Sequence, residues 1–362
     1  MYKRTGIEEL FMAKDSQYYK NKNTALKKKY KKISAQLPTF AIQYLDSKSV
    51  NAQPNTLISY ARDLRTFFVF LQERKPMFKN IPMEKIRLQD MEQISADDII
   101  EYMRYLDYND RDGETYHDNS KAATKRKLAP LRAMYNYHCK RNNLQQNPVL
   151  LVEMPKPKKD KNIVHMNQKE VENLLHVVEQ GSDTMGAKQK LWVEKTRIRD
   201  TALILLLLGT GIRVSECVGL DCSDLNFDEN SITIVRKGGA QDILYFNTEV
   251  EEAMKKYVAY RNTLTPLKGH EDALFLSRQG KRIGVRGIEN LVKKYTKIAV
   301  PNKNITVHKI RSTFGTALYE QSNDIRLVAE VLGHEDMNVT KNYYAALGDK
   351  AKRRAATMPI RK

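Results

Sequence analysis

The chain has 362 residues, 41% of them hydrophobic, with 62 Lys and Arg against 43 Asp and Glu and a formal net charge of +19. That is enough chain for two domains of ordinary size with a sizeable core, and the excess of cations suits a polyanion such as nucleic acid without choosing DNA over RNA. Three cysteines, Cys139, Cys217 and Cys222, form no disulfide framework and lack the second pair a zinc site needs, and the longest apolar run, Ala202 to Leu208, is too short to cross a membrane, so a cytoplasmic protein is expected.

Residues 1–36 read as a basic N-terminal segment, with Lys14, Lys20, Lys22, Lys27, Lys28, Lys29, Lys31 and Lys32. Such a run is as compatible with a solvated helix as with a DNA-touching arm. A helical domain is expected over 37–153. Leu57, Tyr60, Ala61, Leu64, Phe67, Phe68 and Leu71 share one helical stripe behind Pro54. Ser95 with Asp98 resembles a capping box ahead of Ile99, Ile100, Met103 and Leu106. Asn109 to Asn119 reads as a loop. Lys121 to Arg141 reads as a basic amphipathic helix with Leu128, Leu131, Tyr135 and Cys139 toward a core. Its Lys121, Lys125, Arg126 and Lys127 are left free to meet phosphates.

The prolines and lysines of Met154 to Lys161 make a stiff basic linker, taken as 154–165, before a second domain over 166–362. Asn167 with Glu170 marks another helix start. Thr201 to Leu208 reads as a buried helix. Ser231 to Val235 and Ile243 to Phe246 read as a hairpin around Lys237, Gly238 and Gly239. Helical patterns continue to the end.

Six residues in the second domain draw attention together. Arg213, with Glu216 close behind it, follows the glycine turn that ends the buried helix, and Lys237 lies in the hairpin turn. His308 and Arg311 are three apart, on one helix face. His334 follows Gly333, and Tyr343 comes nine positions later. Each alone has a plain structural reading: a turn, an ion pair, a hairpin lysine. Their order and spacing are specific.

Here the chain resembles the tyrosine recombinase (phage integrase) family, through TGIRVSE, RKGG, HKIR, LGH and NYY in that order. The stretches NTLISYARDLRTFFVFL and ATKRKLAPLRAMYNY extend the likeness into the first domain, and the wording of RKGG and HKIRSTFGT is similar to the single-protein Xer recombinases of streptococcal type. The resemblance implies a mainly α fold with a small antiparallel β-sheet (α+β), built as a two-domain DNA clamp. A helical, SAM-like core-binding domain would join a catalytic domain.

It also implies roles. Tyr343 is the nucleophile, Arg213 and Arg311 clamp the phosphate, His308 accepts a proton, Lys237 is the general acid, His334 holds a phosphate oxygen and Glu216 supports its neighbours. The residue types suit the chemistry, because fixed cations can stabilise a crowded phosphorane without a metal. A phenol, with a pKa of about 10, needs such neighbours to ionise. The 3′-phosphotyrosine conserves the bond energy, so neither metal, cofactor nor ATP is expected.

Ser312 stands where many members carry a second His, and Tyr344 adjoins the nucleophile. The implied partners are double-stranded DNA with a specific recombination site, three further copies in a homotetramer on two sites, and a septal DNA translocase. The expected role is chromosome-dimer resolution. Alternatives are integration of a mobile element, relaxation of the type IB topoisomerase kind, and a catalytically dead accessory protein.

Overall fold

The computed structural model describes residues 16–107, 120–156, 164–181, 187–236 and 238–333, with side chains omitted at 17 and 187–194. The loop expected at Asn109 to Asn119, most of the linker, and Lys237, His334, Tyr343 and Tyr344 lie outside them. Contacts divide the chain into two compact units, one spanning Tyr18–Lys159 and the other within Asp160–Lys362.

The first unit is helical: α1 (Gln17–Ser34), α2 (Thr39–Ser49), α3 (Pro54–Arg74), α4 (Ala96–Asp107) and α5 (Lys121–Cys139). Pro54 opens α3, where its missing N–H costs no hydrogen bond. Leu57, Ala61, Leu64, Phe67, Phe68 and Leu71 are buried as expected, but so are Ile58, Asp63 and Phe70. The apolar stripe is wider than one face because α2, α4 and α5 all pack on α3. At α4 the Ser95 and Asp98 side chains exchange hydrogen bonds with each other's backbone N–H groups. Its buried face uses Tyr102 and Tyr105 beside Ile99 and Leu106, while Ile100 turns outward. The Tyr102 ring lies edge-on to Phe67 at 5.0 Å. Tyr30 and Ile33 of α1 pack against this core, so the packed unit reaches N-terminal of the boundary expected at Leu37.

The second unit contains α6 (Gln168–Gln180), α7 (Ala187–Thr210), α8 (Val214–Val218), β1 (Leu225–Asn226), β2 (Ser231–Val235), β3 (Gln241–Tyr245), α9 (Thr248–Arg261), α10 (Val285–Ala299), α11 (Val307–Ser322) and α12 (Ile325–Val331). The sheet is antiparallel in the order β1-β2-β3, with Ser231 opposite Tyr245 and Val235 opposite Gln241. Strand β3 therefore starts two residues before the apolar run, because pairing with β2 recruits Gln241 and Asp242. β1 is too short to leave a pattern.

Helix α7 is central, packed by α6, α9 and α11, and its residues from Ala202 to Leu207 are all buried. It ends as Gly211 takes φ +61°, a left-handed turn in which its N–H donates to Leu207 O. Entry to the unit is fixed too. The Met166 N–H donates to Thr313 Oγ1 of α11 at 3.0 Å, and Lys303 Nζ bridges His165 O and Glu170. Both units are thus mainly helical, and the small antiparallel sheet belongs to the second. No helix among the described residues is long and apolar enough to cross a membrane.

Candidate active site

The turn after α7 delivers Arg213 as the N-cap of α8. Its backbone N–H donates to Glu216 Oε2 at 2.9 Å and its Nη1 to Glu216 Oε1 at 2.8 Å. Glu216 is 3% exposed, and a carboxylate that deep requires charged or hydrogen-bonding partners. It has a second cation near, Arg236 Nη1 at 3.5 Å. Sequence pattern singles out only the lysine of the Arg-Lys-Gly-Gly turn. Arg236 resembles an ordinary hairpin charge because its one nearby partner, Asp242, is what any hairpin could offer, and its other partners are distant in the chain.

Arg311 sits one turn into α11 and is 5% exposed. Its Nη1 donates to Gly211 O at 2.6 Å and its Nη2 to Leu332 O. Arg213 Nη2 donates to Gly333 O at 2.7 Å, and Arg236 Nη2 to Val331 O at 3.0 Å. Three consecutive carbonyls at the end of α12 thus each accept from a different guanidinium. These are carbonyls a helix leaves without intrahelical donors, at the negative end of its dipole. Glycine suits two points of this arrangement, both in left-handed backbone. A Cβ on Gly211 would lie 2.4 Å from the Phe314 ring, and one on Gly333 2.7 Å from Arg236 Cζ.

His308 lies in the first turn of α11, exposed on its outer side. Partial burial, then the charges of Arg311 and Arg213, hold its imidazole below the ordinary 6.5. It is therefore neutral near pH 7 and able to accept a proton. Ser312, in the place of a second His, donates its hydroxyl to His308 O at 3.1 Å, inside the helix. Burial, then Glu216, pushes the Cys217 thiol up to about 12, so it is no rival nucleophile.

Four of the expected residues, Arg213, Glu216, His308 and Arg311, are thus neighbours although 100 positions separate the arginine pair's segments at Gly211 and Arg311. Of the other three, Lys237 follows Arg236 in the chain and His334 follows Gly333, so each is one residue from a bonded member of the cluster. Two guanidiniums held by backbone carbonyls and one carboxylate, with a neutral imidazole beside them, can stabilise charge growing on a phosphoryl group and take up a proton.

The expected phosphate-gripping residues of α5 divide. Lys121 and Lys125 are exposed. Arg126 is not free as expected. Its Nη1 donates to Asp63 Oδ2 at 2.9 Å and Ser59 Oγ at 3.1 Å. Lys127 is half-buried and its charge acts on the same Asp63.

The family model described as "Phage integrase family" matches residues 164–350. The chain is 33% identical over 301 residues to a protein named tyrosine recombinase XerC from Caldanaerobacter subterraneus, covering 80% of this chain and 77% of that one. It is 28% identical over 291 residues to a tyrosine recombinase XerD from Oceanobacillus iheyensis, covering 80% and 86%. Among solved structures, the Tn1549 transposon integrase in complex with circular intermediate DNA is similar with a TM-score of 0.63 at 21% identity, covering 89% of this chain and 100% of that one. XerH bound to its difH substrate is similar with a TM-score of 0.58 at 21% identity, covering 86% and 84%. At that identity the two structures speak for the fold alone.

Proposed function

Since the chain belongs to the phage integrase family and is a tyrosine recombinase, we propose that Tyr343 cuts one strand of a specific duplex site and that the strands are rejoined in a new arrangement. The convergence of Arg213 and Arg311 on the end of α12, with the His308 imidazole within reach of both charges, is the observation that carries this reading. The Tyr343 oxygen attacks phosphorus, the bond to the 5′-oxygen breaks, and a 3′-phosphotyrosine forms. His308 takes the phenol proton and Lys237 gives one to the 5′-oxygen. A 5′-hydroxyl from a second duplex then attacks the adduct and releases Tyr343. Arg213, Arg311 and His334 hold the phosphate oxygens, so the charge a metal would supply is already fixed in the protein.

The two units, read as a core-binding domain and a catalytic domain, would both contact the duplex. Two strand exchanges on two duplexes call for four copies of the chain. Likeness to relatives named XerC and XerD favours chromosome-dimer resolution as the role, and the proposal adds a septal DNA translocase as activating partner and a cytoplasmic location. Integration of a mobile element uses the same chemistry and is the second reading.

The test is covalent capture. DNA crosslinked to Tyr343 in cells is sequenced, and Tyr343→Phe is the control. One chromosomal locus near the replication terminus is the expected result; the ends of a mobile element would replace the first role with the second. Adducts scattered without sequence preference would indicate relaxation instead of recombination. An adduct that survives in Tyr343→Phe and disappears in Tyr344→Phe would overturn the nucleophile.

A further inference from the structure

Of the three arginines that meet the end of α12, Arg236 has no part in the reaction described above. It is 10% exposed and its guanidinium points three ways. Nε donates to Asp242 Oδ2 at 2.8 Å, Nη1 approaches Glu216 Oε2 at 3.5 Å, and Nη2 donates to Val331 O at 3.0 Å. Its main chain closes the β2–β3 turn as well. The Arg236 N–H donates to Ala240 O at 2.8 Å, and its own carbonyl accepts from Gly239 at 3.0 Å. The leg of this turn that enters β3 is therefore tied twice to Arg236, through Ala240 and through Asp242, and Arg236 itself ends the other leg. The same side chain ties them to Glu216, which holds Arg213, and to α12, which leads into His334.

A lysine could not replace it, because one ammonium on a flexible stem cannot hold three acceptors in a fixed fork. The space is committed to it too: Gly333 leaves no room for a Cβ beside the guanidinium, which lies 2.7 Å from where that atom would be. Burying a third cation beside two others is unfavourable unless it is paired, and Asp242, Glu216 and the Val331 carbonyl supply that pairing.

We propose that Arg236 is a positioning residue for proton transfer to the leaving group. It sets the base of the Lys237 turn against Glu216 and the end of α12, so that the lysine ammonium meets the departing 5′-oxygen. This rests on Lys237 as general acid, and the experiment separates the two. Single-turnover cleavage is measured at saturating protein on a nicked suicide duplex. One substrate carries the ordinary 5′-bridging oxygen and the other sulfur in its place. The P–S bond breaks with departure of a thiolate that needs no proton, so only defects in proton donation are rescued by sulfur.

Arg236→Ala is expected to slow the oxygen substrate on the order of tenfold or more and to recover most of that loss on sulfur, with DNA affinity unchanged. Asp242→Asn, which loosens the same guanidinium from the solvent side, moves in the same direction by less and serves where Arg236→Ala fails to fold. Arg236→Lys remains slow on oxygen. If Lys237→Ala is rescued by sulfur and the Arg236 and Asp242 variants are equally slow on both substrates, the positioning role is wrong. If Arg236→Lys behaves as the wild type, charge alone suffices and the role is equally wrong. If Lys237→Ala is not rescued, the general acid is misassigned and this inference falls with it.

Discussion

The two units use charge in opposite ways. In the first, the interior is aromatic and aliphatic, and Lys121 and Lys125 stand in solvent on α5. Its buried Asp63 is answered by an arginine that is itself largely exposed. In the second, charge is internal. Glu216, Asp200, Asp221 and Arg311 are all buried, and Asp200 alone accepts from Thr196, Arg199 and Tyr295. An exposed cation can neutralise a phosphate and release its counterions while its geometry stays loose. A cation meant for a transition state must already be desolvated and aimed, since that reorganisation is what the reaction avoids. On the proposed reading the first unit would serve affinity and the second rate.

Arg311→Ala is the strongest way to break that distinction. Cleavage at saturating protein should fall by on the order of a hundredfold or more, with modest change in DNA affinity. It should also lower the melting temperature, since Gly211 O and Leu332 O lose their donor, at about 1–3 kcal/mol for each buried group left unpaired. Single-turnover kinetics and salt-titrated binding on the same variant check both parts; a change in affinity alone would sink the division.

The converse pair is Lys121→Ala with Lys125→Ala. Saturated cleavage should hold, binding should weaken, and the salt slope should flatten by about one unit per lost contact. Lys127 is a poorer choice than its place on α5 suggests, because its charge acts on Asp63. Arg126→Ala sharpens the comparison inside the first unit. It should cost about 1–2 kcal/mol of stability in denaturant melts by removing the guanidinium bonded to buried Asp63, whereas Lys125→Ala should stay within about 0.5 kcal/mol. Equal stability of the two variants would make Arg126 one more solvated cation.

The smallest effect is in titration. His308 should lose its proton below the ordinary 6.5, and Arg311→Ala or Arg213→Lys should leave the direction of the remaining shift downward, through burial. The first substitution removes a neighbouring positive charge and should move the midpoint up; the second keeps the charge and should move it little. Imidazole resonances followed by NMR across pH 4 to 8 read both. A rise in Arg213→Lys as large as in Arg311→Ala would mean that geometry, not charge, sets the imidazole.

The same contrast between local and distant partners decides which features are legible in the sequence. Helix starts are legible because capping is local: Asn167 and Glu170 exchange bonds three residues apart, as Ser95 and Asp98 do. The run from Ala202 announces α7 because a helix buried all round needs no polar face. Arg213, His308 and Arg311 stand out by order and spacing. Arg236 does not, since Glu216 is 20 residues away and Val331 is 95. Asp63 and Arg126 are 63 apart, so a lone basic residue on α5 looks free in the sequence. Tyr102 and Tyr105 escape the pattern because an aromatic with a polar tip suits either face of a helix, and only the surrounding Phe67 and Phe70 decide. Polar partners chosen at long range leave no period to read.

The anchoring of Met166 to Thr313 has a mechanical side. Thr313 is two residues past Arg311 on α11, and Lys303 pins the adjoining His165 from the loop that leads into that helix. The chain entering this unit is therefore tied sideways to α11, two residues past Arg311, just before it runs on into α6. The helix that carries His308 and Arg311 thus shares one hydrogen bond with the very segment by which the chain enters its unit.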